Sequence, residues 1–238
     1  MPEIANITTT DTNSEINNQS TSTKFLRFTK VPEERFNTAS HFIGGIFMIL
    51  VTILLIVRAD GDRLNIVLSL IYGLSNTILF FSSTICHSQK LDEDQRSAWS
   101  TVDQIAIYLM IAGTYTPITV FYMTGNWLVG ILLGQWIFAG FGIILKFIKP
   151  NSPRWITAGI YLIQGWMLIP AGKILLDIMP ANLFGLIIAG GLFYSIGTIF
   201  YITKKPKLIP GVFGGHEIWH ICVLLGALSF YIIVFQSI

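Results

Sequence analysis

The sequence predicts an all-α membrane protein built as a seven-transmembrane helical bundle, with its N-terminus in the cytoplasm and its C-terminus outside. The first observation is composition: 53% of the 238 residues are hydrophobic and 12% are charged, whereas about a quarter of residues are charged in soluble domains. The second is that the apolar residues gather in long runs, and a helix needs about 20 such residues to cross a bilayer. The third is an uneven distribution of lysine and arginine between the two sides of these runs.

The chain divides into a tail and one membrane domain. Residues 1–30 are predicted to be a disordered polar tail, because residues 1–23 are rich in Thr, Asn and Ser, include no aromatic residue and cannot bury enough apolar surface to offset the entropy of ordering. Short loops make residues 31–238 a single domain. Its predicted spans are 39–57, 64–87, 101–123, 127–148, 155–177, 181–202 and 213–235.

Basic residues decide the orientation, because loops rich in lysine and arginine stay in the cytoplasm. If the N-terminus is inside, 12 of the 15 basic residues lie in cytoplasmic segments. Only Arg58, Arg63 and Lys173 lie on the other side. The predicted orientation is the reverse of that of G-protein-coupled receptors. The net charge of only +2 provides no basic field for nucleic acid, so we expect no nucleic-acid partner.

The four histidines are all predicted to lie in one layer of the bundle, at its cytoplasmic side. His41 opens span 1, His87 ends span 2, and His216 and His220 begin span 7. His216 and His220 are four residues apart, so they project from one face of one helix. Neutral imidazole is a good zinc ligand, and a catalytic zinc ion commonly has three protein ligands and one open position. We therefore predict a zinc site held by His216, His220 and His87.

The stretch GGHEIWH, residues 214–220, also spells the H-E-x-x-H pattern of zinc metalloproteases, in which the glutamate is the general base. On a helix Glu217 lies about 100° from His216, and a carboxylate in the first turn also stabilises the helix dipole. The chain contains no further ligand motif typical of a membrane zinc protease. Both interpretations of Glu217 stay open, and the sequence favours the helix-start role.

Two further polar residues are predicted to line the metal site. Ser83 lies one turn before His87 on the same face of span 2, and Asp103 opens span 3 at the same level. Asp103 could orient the metal-bound water, take its proton or bond a ligand histidine. We predict Asp103 and Ser83 as the catalytic residues. His41 is either a fourth ligand or a hydrogen-bonding and packing residue.

These residues together resemble the progestin and adipoQ receptor family, specifically its haemolysin-III-like bacterial branch. The resemblance extends from about residue 31 to the end. It implies a zinc ion held by His87, His216 and His220, a site lined by Ser83 and Asp103, and a place in the bacterial plasma (inner) membrane. Its parts are Glu34, Asn37 and His41, Ser83 with His87, Asp103 with the downstream GTYTP, and His216 with His220.

The sequence departs from the family at two positions beside the proposed ligands. Ser40 precedes His41 where the family has threonine, and Cys86 precedes His87 where tyrosine or phenylalanine is common. Neither departure changes a proposed ligand.

Two classes of function fit a buried zinc ion with an open position. The first is a zinc-dependent hydrolase of a lipid amide or ester, since zinc activates water at neutral pH and a lipid substrate can arrive through the bilayer; the resemblance implies ceramidase-like chemistry. The second is a non-enzymatic, zinc-stapled receptor or membrane-state sensor. A pore-forming cytolysin is disfavoured because the spans show no amphipathic stripe, and an intramembrane metalloprotease requires a catalytic Glu217. We expect membrane lipids as partners, and the sequence predicts no oligomeric state.

Overall fold

The computed structural model describes residue 29 and residues 31–92 and 95–238, with the side chain of Glu33 excepted. The predicted polar tail, apart from Thr29, lies outside the described residues. Within them, seven helical segments are long and apolar enough to cross a membrane, which confirms the predicted seven-span architecture. The helices are α1 Pro32–Arg58, α2 Arg63–Ser88, α3 Ala98–Tyr122, α4 Gly125–Ile148, α5 Arg154–Gly165, α6 Gly172–Ile178, α7 Ala181–Thr203 and α8 Gly215–Ser237.

The helix starts follow local sequence signals. Pro32 occupies the first turn of α1, where a residue without an amide hydrogen costs nothing. Asp62 caps α2 by accepting a 2.8 Å hydrogen bond from the amide of Asn65. Ser97 and Ser100 cap α3 reciprocally. The first span begins at Pro32, seven residues before the apolar run at 39, and Glu34 and Asn37 therefore lie on the same helix as His41.

The fifth span is interrupted between α5 and α6. After Gly165 the chain makes a short 3-10 turn over Ile169–Ala171, where Pro170 lacks the amide hydrogen that an α-helix requires. The Tyr115 hydroxyl donates to the carbonyl of Gly165, so a neighbouring helix satisfies part of the freed backbone. Non-helical backbone at membrane depth is tolerated where it is buried or lines a cavity. Both Gly165 and Trp166 line the cavity described below.

The bundle is centred on α3 and α8. Helix α1 packs on α2 and α8, α2 packs on α3, α3 packs on α4, and α7 packs on α8. Glycine permits a close approach between α7 and α8, because a Cβ at Gly197 would lie 2.7 Å from the Cβ of Cys222. On the outer surface Ile43, Val57 and Ile137 are each about two-thirds exposed, as expected of side chains that face lipid.

A small antiparallel hairpin, which the sequence did not predict, precedes α8. Strand β1, Lys207–Ile209, pairs with β2, Phe213–Gly214, across a turn in which Gly211 has a φ of 77°. The predicted seventh span began at residue 213, but residues 213–214 are extended and the helix begins at Gly215. Phe213 of the hairpin, which directly precedes the first turn of α8, meets Phe36 of α1 edge-on with 5.2 Å between the ring centroids.

Candidate metal centre

Three imidazole rings converge where the end of α2 meets the start of α8. His87 lies in the last turn of α2, and His216 and His220 lie in the first two turns of α8. The Nε2 atom of His216 is 3.5 Å from that of His87 and 3.3 Å from that of His220. One ligand atom from each ring lies within 4.8 Å of the others, so the trio could hold a metal ion. The predicted juxtaposition of these histidines is therefore confirmed.

Glu34 fixes the orientation of His87. A carboxylate oxygen of Glu34 makes a short contact with Nδ1 of His87, and the other accepts a 2.8 Å bond from Nζ of Lys90. The Glu34 side chain is 2% exposed and that of Lys90 is 12% exposed. Because Nδ1 is engaged by a carboxylate, the lone pair of Nε2 is directed toward the other two rings. In the sequence, Glu34 is recognisable only as part of the family motif.

Glu217 belongs to a chain of hydrogen bonds between α1 and α8. One of its carboxylate oxygens accepts a 2.9 Å bond from the amide of Asn37, which also approaches Glu34 at 3.4 Å. The other accepts a 2.7 Å bond from the backbone amide of Gly214, the residue that precedes α8. Both oxygens are thus used in capping the helix and joining it to α1. This arrangement favours the helix-start interpretation of Glu217.

His41 lies beside the trio rather than within it. Its ring stacks on that of His220, with 3.8 Å between centroids, and meets Phe80 edge-on at 5.1 Å. Neither ring nitrogen has a hydrogen-bond partner among the described residues. The nitrogen atoms of His41 are not in the group that could share a metal ion. Of the two interpretations left open by the sequence, the packing role matches this position.

Ser83 and Asp103, which the sequence predicts to line the metal site, lie close to the trio. The Asp103 carboxyl lies near the Ser83 hydroxyl and within electrostatic reach of His87. Ser83 is buried and Asp103 is half-buried. Both line one cavity together with the three histidines. The structure brings the five predicted site residues together, and the catalytic roles of Asp103 and Ser83 stay predictions.

The cavity beside the trio, which we call the apolar cavity, extends into the bundle between α2, α3, α5, α7 and α8. As the helices stand the cavity is narrow, with about 80 Å³ of space for the centres of water-sized molecules. One end carries the histidines, Ser83 and Asp103. The remainder is mostly hydrophobic and aromatic, with walls that include Leu79, Ile107, Ile111, Trp166, Tyr194, Val223 and Phe230. An apolar cavity with a few polar groups at one end is typical of a site for a hydrophobic ligand.

Known proteins of similar sequence support the family resemblance that the motifs indicate. A family model described as Haemolysin-III related matches residues 29–231. Hemolysin-3 of Bacillus cereus is 36% identical over 218 residues, covering 89% of this chain and 95% of that protein. The Hemolysin-3 homolog of Bacillus subtilis (strain 168) is 35% identical over 211 residues, with coverages of 87% and 96%. The human monocyte to macrophage differentiation factor is 26% identical over 185 residues, with coverages of 75% and 74%.

Proposed function

Since the chain belongs to the haemolysin-III-related family of multi-pass membrane proteins, we propose that it is a membrane zinc protein that hydrolyses a lipid amide or ester. The observation that carries the proposal is the joint placement of three imidazoles and one carboxylate at the polar end of an apolar cavity. We further propose that it resides in the bacterial plasma membrane with its N-terminus in the cytoplasm, as the basic residues predict.

The spacing of the histidines supports zinc as the metal. Two imidazole nitrogens bound to one zinc ion at about 2.0–2.1 Å, in tetrahedral geometry, lie roughly 3.4 Å apart. Two of the three separations, from Nε2 of His216 to Nε2 of His87 and of His220, are 3.5 and 3.3 Å, and the three ligand atoms all lie within 4.8 Å of one another. Both exceed the usual hydrogen-bond range of about 2.7–3.2 Å. A carboxylate on the outer nitrogen of a ligand histidine, as Glu34 is on His87, is also usual at zinc sites. The residues present therefore fit a zinc ion with three protein ligands.

The residues of the chain have distinct roles in the proposed hydrolysis. A bound zinc ion supplies a Lewis acid and a reactive water at neutral pH. Asp103 takes a proton from the attacking water and returns it to the departing nitrogen or oxygen as the carbonyl–heteroatom bond breaks, leaving a carboxylic acid and an amine or alcohol. Ser83, whose hydroxyl lies near the Asp103 carboxyl, holds that side chain in place. The apolar cavity holds the acyl chain and excludes bulk water.

The test uses the purified full chain in nanodiscs, with zinc measured by mass spectrometry and lipid products by chromatography. We expect about one zinc ion per chain and hydrolysis of at least one amide- or ester-linked lipid, ceramides being tried first. The variant with His87, His216 and His220 all replaced by alanine should lose the zinc. Full zinc occupancy in that variant would rule out this ligand set.

The same experiment tests the alternative of a non-enzymatic sensor. This alternative is favoured by the position of the three histidines, which link α2 to α8. If wild-type protein holds zinc tightly but hydrolyses no lipid in the panel, the metal serves as a structural link between the helices. In that case zinc removal should lower the unfolding temperature, and the function would be that of a zinc-stapled sensor or receptor.

A further inference from the structure

We propose that the hairpin before α8 is a membrane-binding surface, and that residues 205–212 lie in the headgroup layer of the bilayer and bind anionic lipids there. We call residues 205–212 the exposed hairpin segment. The inference goes beyond the proposed function, because it assigns a contact with the lipid surface and requires neither zinc nor hydrolysis. It is carried by the composition of the segment, its exposure and its attachment to two membrane helices.

The exposed hairpin segment combines aliphatic and basic side chains. All of its residues are exposed in the structure. Its sequence, KPKLIPGV, contains two lysines, three large aliphatic residues and no carboxylate. Leu208, Ile209 and Val212 are 59%, 56% and 46% exposed. Aliphatic groups beside lysines are typical of surfaces that insert apolar groups at the membrane boundary while their ammonium groups meet the headgroups.

The two helices that hold the segment place it at the level of the headgroups. Helix α7 ends at Thr203 after 23 residues. At 1.5 Å per residue such a helix is about 34 Å long, slightly more than the hydrocarbon core of about 30 Å. The backbone of Lys205 packs on the first residue of α8, because a Cβ at Gly215 would lie 2.7 Å from its nitrogen. The segment therefore starts where two spanning helices leave the hydrocarbon.

The lysines of the segment have no carboxylate partner among the residues that the structure describes. The ion pairs within that part of the chain join Glu34 to His87 and to Lys90, and neither Lys205 nor Lys207 takes part in one. Both lysines are exposed. Their ammonium groups are thus available to the phosphate groups of lipids.

Two carboxylates line the space behind the segment, and both face inward. Glu34 and Glu217 line the same cavity as Lys207 and Ile209. They are 1% and 4% exposed, and their oxygen atoms are used in the contacts described above. The outer surface of the segment is therefore apolar and positive. An anionic leaflet complements both properties, since it attracts basic residues close to its surface and accepts aliphatic groups below the headgroups.

The position of the segment gives this contact a consequence for the metal centre. The segment forms one side of a cavity that is also lined by His216, one of the proposed ligands. The chain continues from the segment into α8 through Phe213 and Gly214. A segment held in the headgroup layer would keep the opening of this cavity at the membrane surface.

The experiment measures the depth of residue 208 in the membrane. Leu208→Cys, in a full chain with Cys86→Ala and Cys222→Ala, carries a nitroxide label in phosphatidylcholine nanodiscs with or without phosphatidylglycerol. Electron paramagnetic resonance compares collisions with oxygen, which concentrates in the bilayer, and with a water-soluble nickel chelate. The matched control is Leu91→Cys, because Leu91 is 76% exposed at the same end of the bundle but lies next to Asp92. With phosphatidylglycerol, we expect more oxygen and fewer nickel collisions at residue 208 than at residue 91.

Variants test the role of the lysines. Each lysine near an anionic surface favours the bound state about fivefold. Lys205→Gln/Lys207→Gln should therefore lower the ratio of membrane-bound to water-exposed label by about 25-fold. The charge-matched control Arg35→Gln/Lys149→Gln removes two exposed charges elsewhere at this end of the bundle and should leave the depth unchanged.

The outcomes separate a lipid partner from the other possible partners. A label at residue 208 that meets the nickel chelate as often as one at residue 91 would overturn the inference. Equal depth with and without phosphatidylglycerol, unaffected by the lysine replacements, would overturn the preference for anionic lipid. Few collisions with both reagents would show that protein covers the segment, which would also overturn it. Val212→Cys provides a second label position if Leu208→Cys does not fold.

Discussion

Replacement of Glu34 by glutamine tests whether zinc affinity depends on a carboxylate that contacts a proposed ligand histidine and is not itself a ligand. The substitution keeps the size of the side chain but removes the charge that contacts Nδ1 of His87 and Nζ of Lys90. Partners of this kind typically contribute 10–100-fold to metal affinity. We expect zinc affinity to fall by that factor, equivalent to about 1.4–2.7 kcal/mol of binding free energy.

Glu34→Gln also has a cost in folding stability that must be separated from its effect on zinc. Lys90, whose side chain is 12% exposed, would lose its contact with the Glu34 carboxylate. Breaking a fully buried ion pair costs about 3–5 kcal/mol of folding free energy. Because Lys90 is partly exposed, we expect the cost here to be at most about 3 kcal/mol. The double variant Glu34→Gln/Lys90→Met also removes the ammonium group that faced the carboxylate, so it should recover stability without recovering zinc affinity.

The assay combines titration against a fluorescent zinc chelator with thermal unfolding, both in detergent at pH 7. Lys90→Met alone is the matched control, because it leaves the contact between Glu34 and His87 intact. A zinc affinity within twofold of the wild type in Glu34→Gln, together with a lower unfolding temperature, would refute the positioning role. Glu34 would then be a structural ion-pair partner only.

Three other predictions address the reaction, the cavity and the topology. Asp103→Asn should abolish lipid hydrolysis, with zinc retained or bound 10–100-fold more weakly. Glu217→Gln should keep the activity and lose about 1–2 kcal/mol of folding stability, because one buried hydrogen bond is lost. Turnover and thermal unfolding measure these effects, and the opposite pattern would favour the metalloprotease alternative. Val223→Trp, which fills the wall of the apolar cavity, should reduce turnover of long-chain lipids more than that of short-chain analogues, and equal reductions would argue against this cavity as the acyl site. Reporter fusions at Ser14 and after Ile238 should report cytoplasm and outside respectively, and both ends on one side would contradict the orientation.

The number of spans and the histidine trio were predictable because the physics that produces them is local. Each membrane helix satisfies its own backbone hydrogen bonds, so an apolar run of sufficient length predicts a span without knowledge of its neighbours. The separation of four residues between His216 and His220 places both on one helix face. His87 lies at the cytoplasmic end of its span and therefore at the same depth in the membrane as His216 and His220. The sequence was thus enough to predict the three imidazoles in one layer.

The role of Glu34 was not predictable, because it depends on a contact between residues 53 positions apart in the chain. Hydropathy began the first span at residue 39 and left Glu34 and Asn37 before it, although the helix starts at Pro32. The bonds from Asn37 to Glu217 and from Glu34 to His87 then join α1 to two other helices. The periodicity of an apolar run does not show which residue of another helix a neighbouring polar side chain will contact.

The sequence by itself determined which segments enter the membrane and which face of α8 carries two imidazoles, because both follow from the apolar length and the period of a single helix. Only the tertiary structure decided that the fifth span breaks at Gly165, that Glu34 orients His87, and that an apolar cavity ends at His87, Asp103 and His216. These features arise from the packing of several helices against one another. The periodicity of one helix shows which of its residues share a face, but it does not show which residues of other helices pack against that face.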